Sequence, residues 1–124
     1  MNKNSIALMF FFFFIVFWLI TLPAWGHTDV TAEVAKDMSD TNNALIVIDV
    51  REPSEYCSIA GHIPGAVNYP WLSGVLEVLY TELPAEAEIL IVCQTGGRSN
   101  SAANFLDSQG FLYVYDMNGG ISKH

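Results

Sequence analysis

Positive charge is scarce in this chain. Its 124 residues include five Lys and Arg against 13 Asp and Glu, a formal net charge of −8. An acidic surface of this kind argues against nucleic acid, whose phosphates call for a basic face. Histidine is sparse too. His62 has no second ligand at metal spacing, and His27 and His124 lie near the two ends of the chain that follows residue 26. No metal site is therefore expected, and His62 is read as a structural hydrogen-bonder. There is no internal repeat, and no low-complexity stretch beyond the phenylalanines Phe10 to Phe14. With two cysteines, Cys57 and Cys93, one bridge is conceivable at most.

Long apolar sequence is present once. Ile6 to Leu22 is apolar apart from Thr21, preceded by Lys3 and followed by Pro23-Ala24-Trp25-Gly26. A charged start, an apolar middle and small residues before a cut ahead of His27 describe a secretory signal. An uncleaved membrane anchor facing the periplasm is the alternative, since the run is long for a signal core. The expected division is residues 1–26 as signal or anchor and 27–124 as one small domain exported to the periplasm. Losing Lys3 leaves four Lys and Arg against 13 acids, a net charge of −9.

Strand and helix patterns alternate through the remainder, which predicts an α/β fold with a mainly parallel sheet. His27 to Val30 reads as an exposed lead-in. Thr31 can cap a helix from Ala32 to about Asp40. Leu45 to Ile48 is a strand that delivers Asp49 and Arg51 to its carboxyl end. A short helix follows over Glu52–Tyr56, with Pro53 tolerated in its first turn. Ala66–Tyr69 reads as a short strand and Trp71–Tyr80 as a helix weakened by Gly74. Ile89–Val92 is a strand, Asn100–Gln109 a helix closed by Gly110, and Phe111–Tyr115 a last strand. Four strands are legible; their spatial order is not.

The unbroken run Ile89-Leu90-Ile91-Val92 suits a strand buried on both faces. It leads into Cys93-Gln94-Thr95-Gly96-Gly97-Arg98-Ser99, so the cysteine stands where open α/β sheets bind ligands, beyond the carboxyl ends of the strands. Gly96 and Gly97 permit left-handed turns. A loop so folded can turn successive N–H groups inward as an anion nest, beside the positive end of the next helix and the fixed charge of Arg98. All three favour the Cys93 thiolate, the nucleophilic form of a thiol, and would hold an anionic group attached to it. The spacing Cys-x4-Arg is one residue shorter than in cysteine-based phosphatases. It makes a smaller ring, suited to a sulfur atom more than to a tetrahedral oxyanion.

The segment from Cys93 to Ser99 resembles the active-site loop of the rhodanese (thiosulfate sulfurtransferase) family. Asp49-Val50-Arg51-Glu52 with Glu55-Tyr56, and Gly61-His62-Ile63-Pro64-Gly65-Ala66-Val67-Asn68, resemble its other signatures in the family's order. Gly119-Gly120-Ile121 is a further similar turn. The resemblance covers about Val30 to Ile121. It implies a three-layer α/β/α domain with four to five strands, and a Cys93 persulfide formed from a small sulfur anion such as thiosulfate or polysulfide. That sulfur would pass to a thiol or cyanide, with no cofactor. Gln94 to Ser99 would form the binding loop, with Asp49 and Arg51 in support as an ion pair or loop clamp. The alternative is a sulfur-carrying, sensing or partner-binding module with little turnover; a phosphatase or arsenate reductase is disfavoured by the short ring. A permanent Cys57–Cys93 bridge would silence the loop thiol. Cys57 is either an incidental surface thiol or a partner in a transient bridge or persulfide relay. The family's closing helix, begun by a tryptophan, has no counterpart up to His124, so one sheet face is expected to be partly uncovered.

Overall fold

The computed structural model describes residues 26–123. Residues 1–25 of the expected signal or anchor lie outside the described residues. The sheet has five strands: β1 (Thr28–Val30), β2 (Ile46–Asp49), β3 (Val67–Asn68), β4 (Glu88–Val92) and β5 (Tyr113–Met117). They run parallel in the order β1-β5-β4-β2-β3. Four α-helices connect them: α1 (Ala32–Thr41), α2 (Pro53–Tyr56), α3 (Val75–Leu79) and α4 (Gly97–Ser108).

The sheet separates two apolar layers, and β4 shows why its run has no polar alternation. Ile89 and Ile91 pack with Leu76 of α3 and with Ala102, Ala103 and Leu106 of α4. Leu90 and Val92 point the other way, into a layer that includes Ala35 of α1 and Tyr56 of α2. These four of the five β4 residues are fully buried. This is the expected α/β/α arrangement with a parallel sheet.

Several boundaries differ from the sequence reading. The exposed lead-in His27–Val30 supplies a fifth strand: Thr28, Asp29 and Val30 pair with Tyr115, Asp116 and Met117. Only Val30 of the three is buried, so no periodic signal marks the strand. The Trp71–Tyr80 helix is shorter, because Gly74 takes φ +73° and starts α3 only at Val75; a 3-10 turn at Tyr80–Glu82 follows. Helix α4 begins three residues early, at Gly97. The last strand begins two residues late, because Phe111 belongs to the end of α4. Its N–H donates to the Leu106 carbonyl and that of Gly110 to the Asp107 carbonyl, with Gly110 at φ +93°. This is the Schellman closure, with an apolar residue just beyond the glycine.

The described chain closes in a 3-10 turn, Ile121–Lys123. On the α1 face a groove of about 620 Å³ is lined by Ala32, Ala35, Ile63, Pro64, Met117 and Ile121, among others.

Candidate functional site

Strand β4 ends at Val92, and the next residue is Cys93, fully buried at the foot of a four-residue loop. Gly96 turns the loop with φ +104° and is the N-cap of α4. Its N–H donates to the Cys93 sulfur at 3.0 Å. The thiol faces the Ser99 hydroxyl at 3.4 Å, and that hydroxyl donates to the Gly96 carbonyl at 3.1 Å. No side chain caps α4. Its first-turn N–H groups have no acceptor within the helix, so the sulfur lies at an open, positively polarised helix start. Cys93 and Ser99 are buried, whereas Thr95 and Gly97 at the crest are exposed. Cys93 has no solvent-exposed surface in this arrangement.

The loop is held from behind by the segment after β5. The Ile121 N–H donates to the Cys93 carbonyl at 2.9 Å and the Ser122 N–H to the Gln94 carbonyl at 3.0 Å. Both carbonyls are thereby turned away from the sulfur. The fit leaves no room for side chains. A Cβ on Gly96 would stand 3.1 Å from the Gly119 nitrogen, and one on Gly120 would collide with the Gln94 carbonyl and stand 2.6 Å from the Thr95 nitrogen.

Asp49 and Arg51 form a buried pair, as the sequence suggested. The Arg51 Nη2 donates to Asp49 Oδ2 at 2.7 Å, and Nε lies 3.0 Å from both carboxylate oxygens. The same Nη2 donates to the Gly61 carbonyl at 2.9 Å, and Nη1 reaches Gln94 Oε1 at 3.5 Å. Arg51 thus ties β2 to the Gly61 turn and to the loop. Asn68 fastens the base by donating to the carbonyls of Asp49 and Arg51 at 3.0 and 2.8 Å.

Arg98 corrects one expectation. Its guanidinium does not face the thiol as a free charge; it grips Glu55 of α2 through two bonds of 2.7 Å. The arginine holds the Glu55 carboxyl down at about 2, assisted by the Glu52 N–H. The positive spot anticipated on the acidic body is therefore largely neutralised, because Arg51 and Arg98 each have a carboxylate. Glu55 itself is the functional neighbour that the sequence reading left without a role. Its signal was the Glu52-x-x-Glu55 spacing of a capping box, which α2 does form.

His62 lies where a structural role requires. Its ring stacks on Tyr56 at 3.7 Å and 11°, with Nδ1 3.0 Å from the Tyr56 carbonyl. Cys57 is exposed and Cys93 buried, and both are free thiols. Among the described residues, one group has metal-ligating potential, His27, Asp29 and Asp116. It stands on the β1–β5 edge, where burial pushes the Asp116 carboxyl up, softened by Ser99 and Asn100.

Comparison with known proteins gives the family of the domain. The rhodanese-like domain model matches residues 31–124. The chain belongs to the rhodanese-like family. It is 32% identical over 88 residues to a sulfurtransferase of Allochromatium vinosum, covering 71% of this chain and 78% of that one. It is 40% identical over 76 residues to the thiosulfate sulfurtransferase GlpE of Pseudomonas entomophila, covering 61% and 66%. A putative sulfur carrier protein of Bacillus subtilis, YrkF, is 37% identical over 93 residues; this stretch is 75% of the present chain but about half, 48%, of YrkF. A rhodanese-related crystal structure from Thermoplasma volcanium superposes with a TM-score of 0.64 at 31% identity, covering 78% of this chain and 89% of that one.

Proposed function

We propose that this rhodanese-like domain is a sulfurtransferase working through a persulfide on Cys93. The observation that carries the reading is the placement of the Cys93 sulfur against the Gly96 N–H, at the uncapped start of α4. In the first half-reaction the Cys93 thiolate attacks the outer sulfur of a donor. With thiosulfate, the S–S bond of the donor breaks, sulfite leaves with the bonding pair, and Cys93 holds a terminal S⁻. The N–H groups of the loop and of the first turn of α4 stabilise that charge. In the second half-reaction a thiolate or cyanide attacks the terminal sulfur, and Cys93 leaves as thiolate. The cysteine alternates between two covalent states, so ping-pong kinetics are expected. No cofactor takes part. Gln94 to Ser99 form the binding loop; Asp49 and Arg51 support it from below.

A sulfur carrier or sensor with little turnover is the second reading, favoured by the full burial of Cys93. One experiment separates the two. The protein is treated with thiosulfate and then cyanide, with thiocyanate and intact mass measured together. Mass gain of one sulfur with thiocyanate release over many cycles supports the transferase; mass gain without cycling supports the carrier; no mass gain sinks both. We also propose export to the periplasm, directed by Lys3 and the apolar run Ile6–Leu22. Recovery of a tagged full-length protein from the cytosolic fraction would refute it.

A further inference from the structure

Three side chains gather at the edge of the sheet, on the α4 face. Asp29 of β1 and Asp116 of β5 are register partners across the parallel pair, so their side chains leave the sheet on one face. His27 sits just before β1. One ligand atom from each of the three lies within 4.8 Å of the others, with His27 Nε2 3.7 Å from Asp29 Oδ1.

Two further observations distinguish this group from an ordinary acidic patch. The first is the Asp116 carboxylate. Its residue is 3% exposed, and its Oδ1 is buried with no hydrogen-bond partner. The carboxyl has Ser99 beside it, and its other oxygen has a long contact to Asn100 Nδ2, at 3.5 Å. A buried carboxylate oxygen without a donor is costly, and it belongs to the very group that converges here. The second is the orientation of the imidazole. His27 Nδ1 lies 2.8 Å from Asp107 Oδ2 on α4, and the same oxygen accepts the His27 backbone N–H at 2.9 Å. A carboxylate on Nδ1 fixes the proton there and leaves Nε2 as the lone-pair nitrogen. That nitrogen is the one turned toward Asp29 and toward Asn100 Nδ2, 3.4 Å away. A carboxylate holding the far nitrogen of a ligating histidine is the usual outer support of a metal site.

We propose that His27, Asp29 and Asp116 bind a divalent first-row transition ion, with Asp107 orienting the histidine. One imidazole and two carboxylates match the donor set that zinc-like ions accept, with water completing the shell. Asp29 is largely exposed, which leaves a path for entry and for that water. The ion would bridge β1 to β5, and His27 would tie both to α4. It would fasten the short edge strand to the domain and supply the missing counter-charge to Asp116. The site adjoins the sulfur loop at Ser99, whose hydroxyl acts on the Asp116 carboxyl, but it takes no ligand from that loop and does not depend on the sulfurtransferase reading.

The test is a titration of the full-length chain in detergent with Co²⁺, whose spectrum separates thiolate from nitrogen and oxygen ligation, followed by Zn²⁺ competition. One Co²⁺ per chain is expected, without a thiolate charge-transfer band, and displaced by Zn²⁺ but not by equal Mg²⁺ or Ca²⁺. His27→Gln and Asp116→Asn should each weaken binding by more than about 100-fold, and Asp107→Asn by about 10-fold, while Cys57→Ser leaves it unchanged. Binding that disappears in Cys57→Ser, displacement by Mg²⁺, equal affinity in His27→Gln, or no saturable binding overturns the proposal. Should a variant fail to fold, the wild-type histidine ¹⁵N spectrum decides. Zn²⁺ must shift Nε2 of His27, and an unchanged ring signal at saturating Zn²⁺ refutes the site.

Discussion

At Gly96 and Gly120 the backbone does what no other residue allows. Both have positive φ, +104° and +66°, and in both a Cβ would press on backbone from the other segment. Gly96→Ala should cost about 1–3 kcal/mol from the conformation alone, and it should slow persulfide formation more than it lowers the melting temperature. Gly120→Ala should be worse, because the Gln94–Thr95 peptide has to move. Mass spectrometry of the thiosulfate-treated variants, beside thermal melts, checks both. Cys93→Ser should remove the mass gain while leaving the fold intact by circular dichroism. Glu55 makes a prediction in pH. Its folded value, about 2, lies below its ordinary 4.5, so the pair with Arg98 stabilises fully above about 4.5. That contribution is lost as the pH falls toward 2. With the two side chains 22% and 33% exposed, screening limits it to about 1 kcal/mol. Glu55→Gln should therefore lower stability at pH 7 and narrow its gap to wild type on acidification, as denaturant melts at pH 7 and pH 3 will reveal.

Among the elements, β2 carries the buried pair that braces the loop. Asp49→Ala would strand the Arg51 guanidinium, itself 1% exposed, and should cost about 3–5 kcal/mol. Replacing both residues by apolar ones should restore much of this in urea melts, while the Gly61 turn and Gln94 lose their anchor and sulfur transfer stays impaired. The elements also mark how far sequence reasoning reaches. Strand β4 was legible because burial on both faces writes itself as an unbroken apolar run. The cysteine loop was legible because Gly-Gly-Arg-Ser after such a strand has few other uses. Strand β1 was not, since three residues with one buried side chain have no period to detect; pairing with β5 creates it. Phe111 misled for a related reason: an apolar residue beyond Gly110 suits a strand start and a helix closure equally, and only the backbone bonds to Leu106 distinguish them. The Glu55–Arg98 pair joins residues 43 positions apart, which no local pattern encodes.

For the molecule as a whole, charge is the governing quantity. A body of net charge −8, with Lys36, Arg51 and Arg98 each against a carboxylate, has little to attract a dianion from a distance. Donor approach is then slowed by repulsion, which salt screens over about 10 Å at 0.1 M. The second-order rate of Cys93 sulfuration by thiosulfate should rise, by roughly two-fold, between low and physiological ionic strength. A rate that falls with salt would mean that the loop attracts anions after all.

Because Ile121 and Ser122 clasp the carbonyls of Cys93 and Gln94, the rear of the sulfur ring is fastened to the segment that follows β5. An opening of the ring from that side has to break these two bonds first. The exchange of the Ile121 and Ser122 amide protons should therefore report any opening of the ring that breaks the clasp, and slow exchange of both is the expected result.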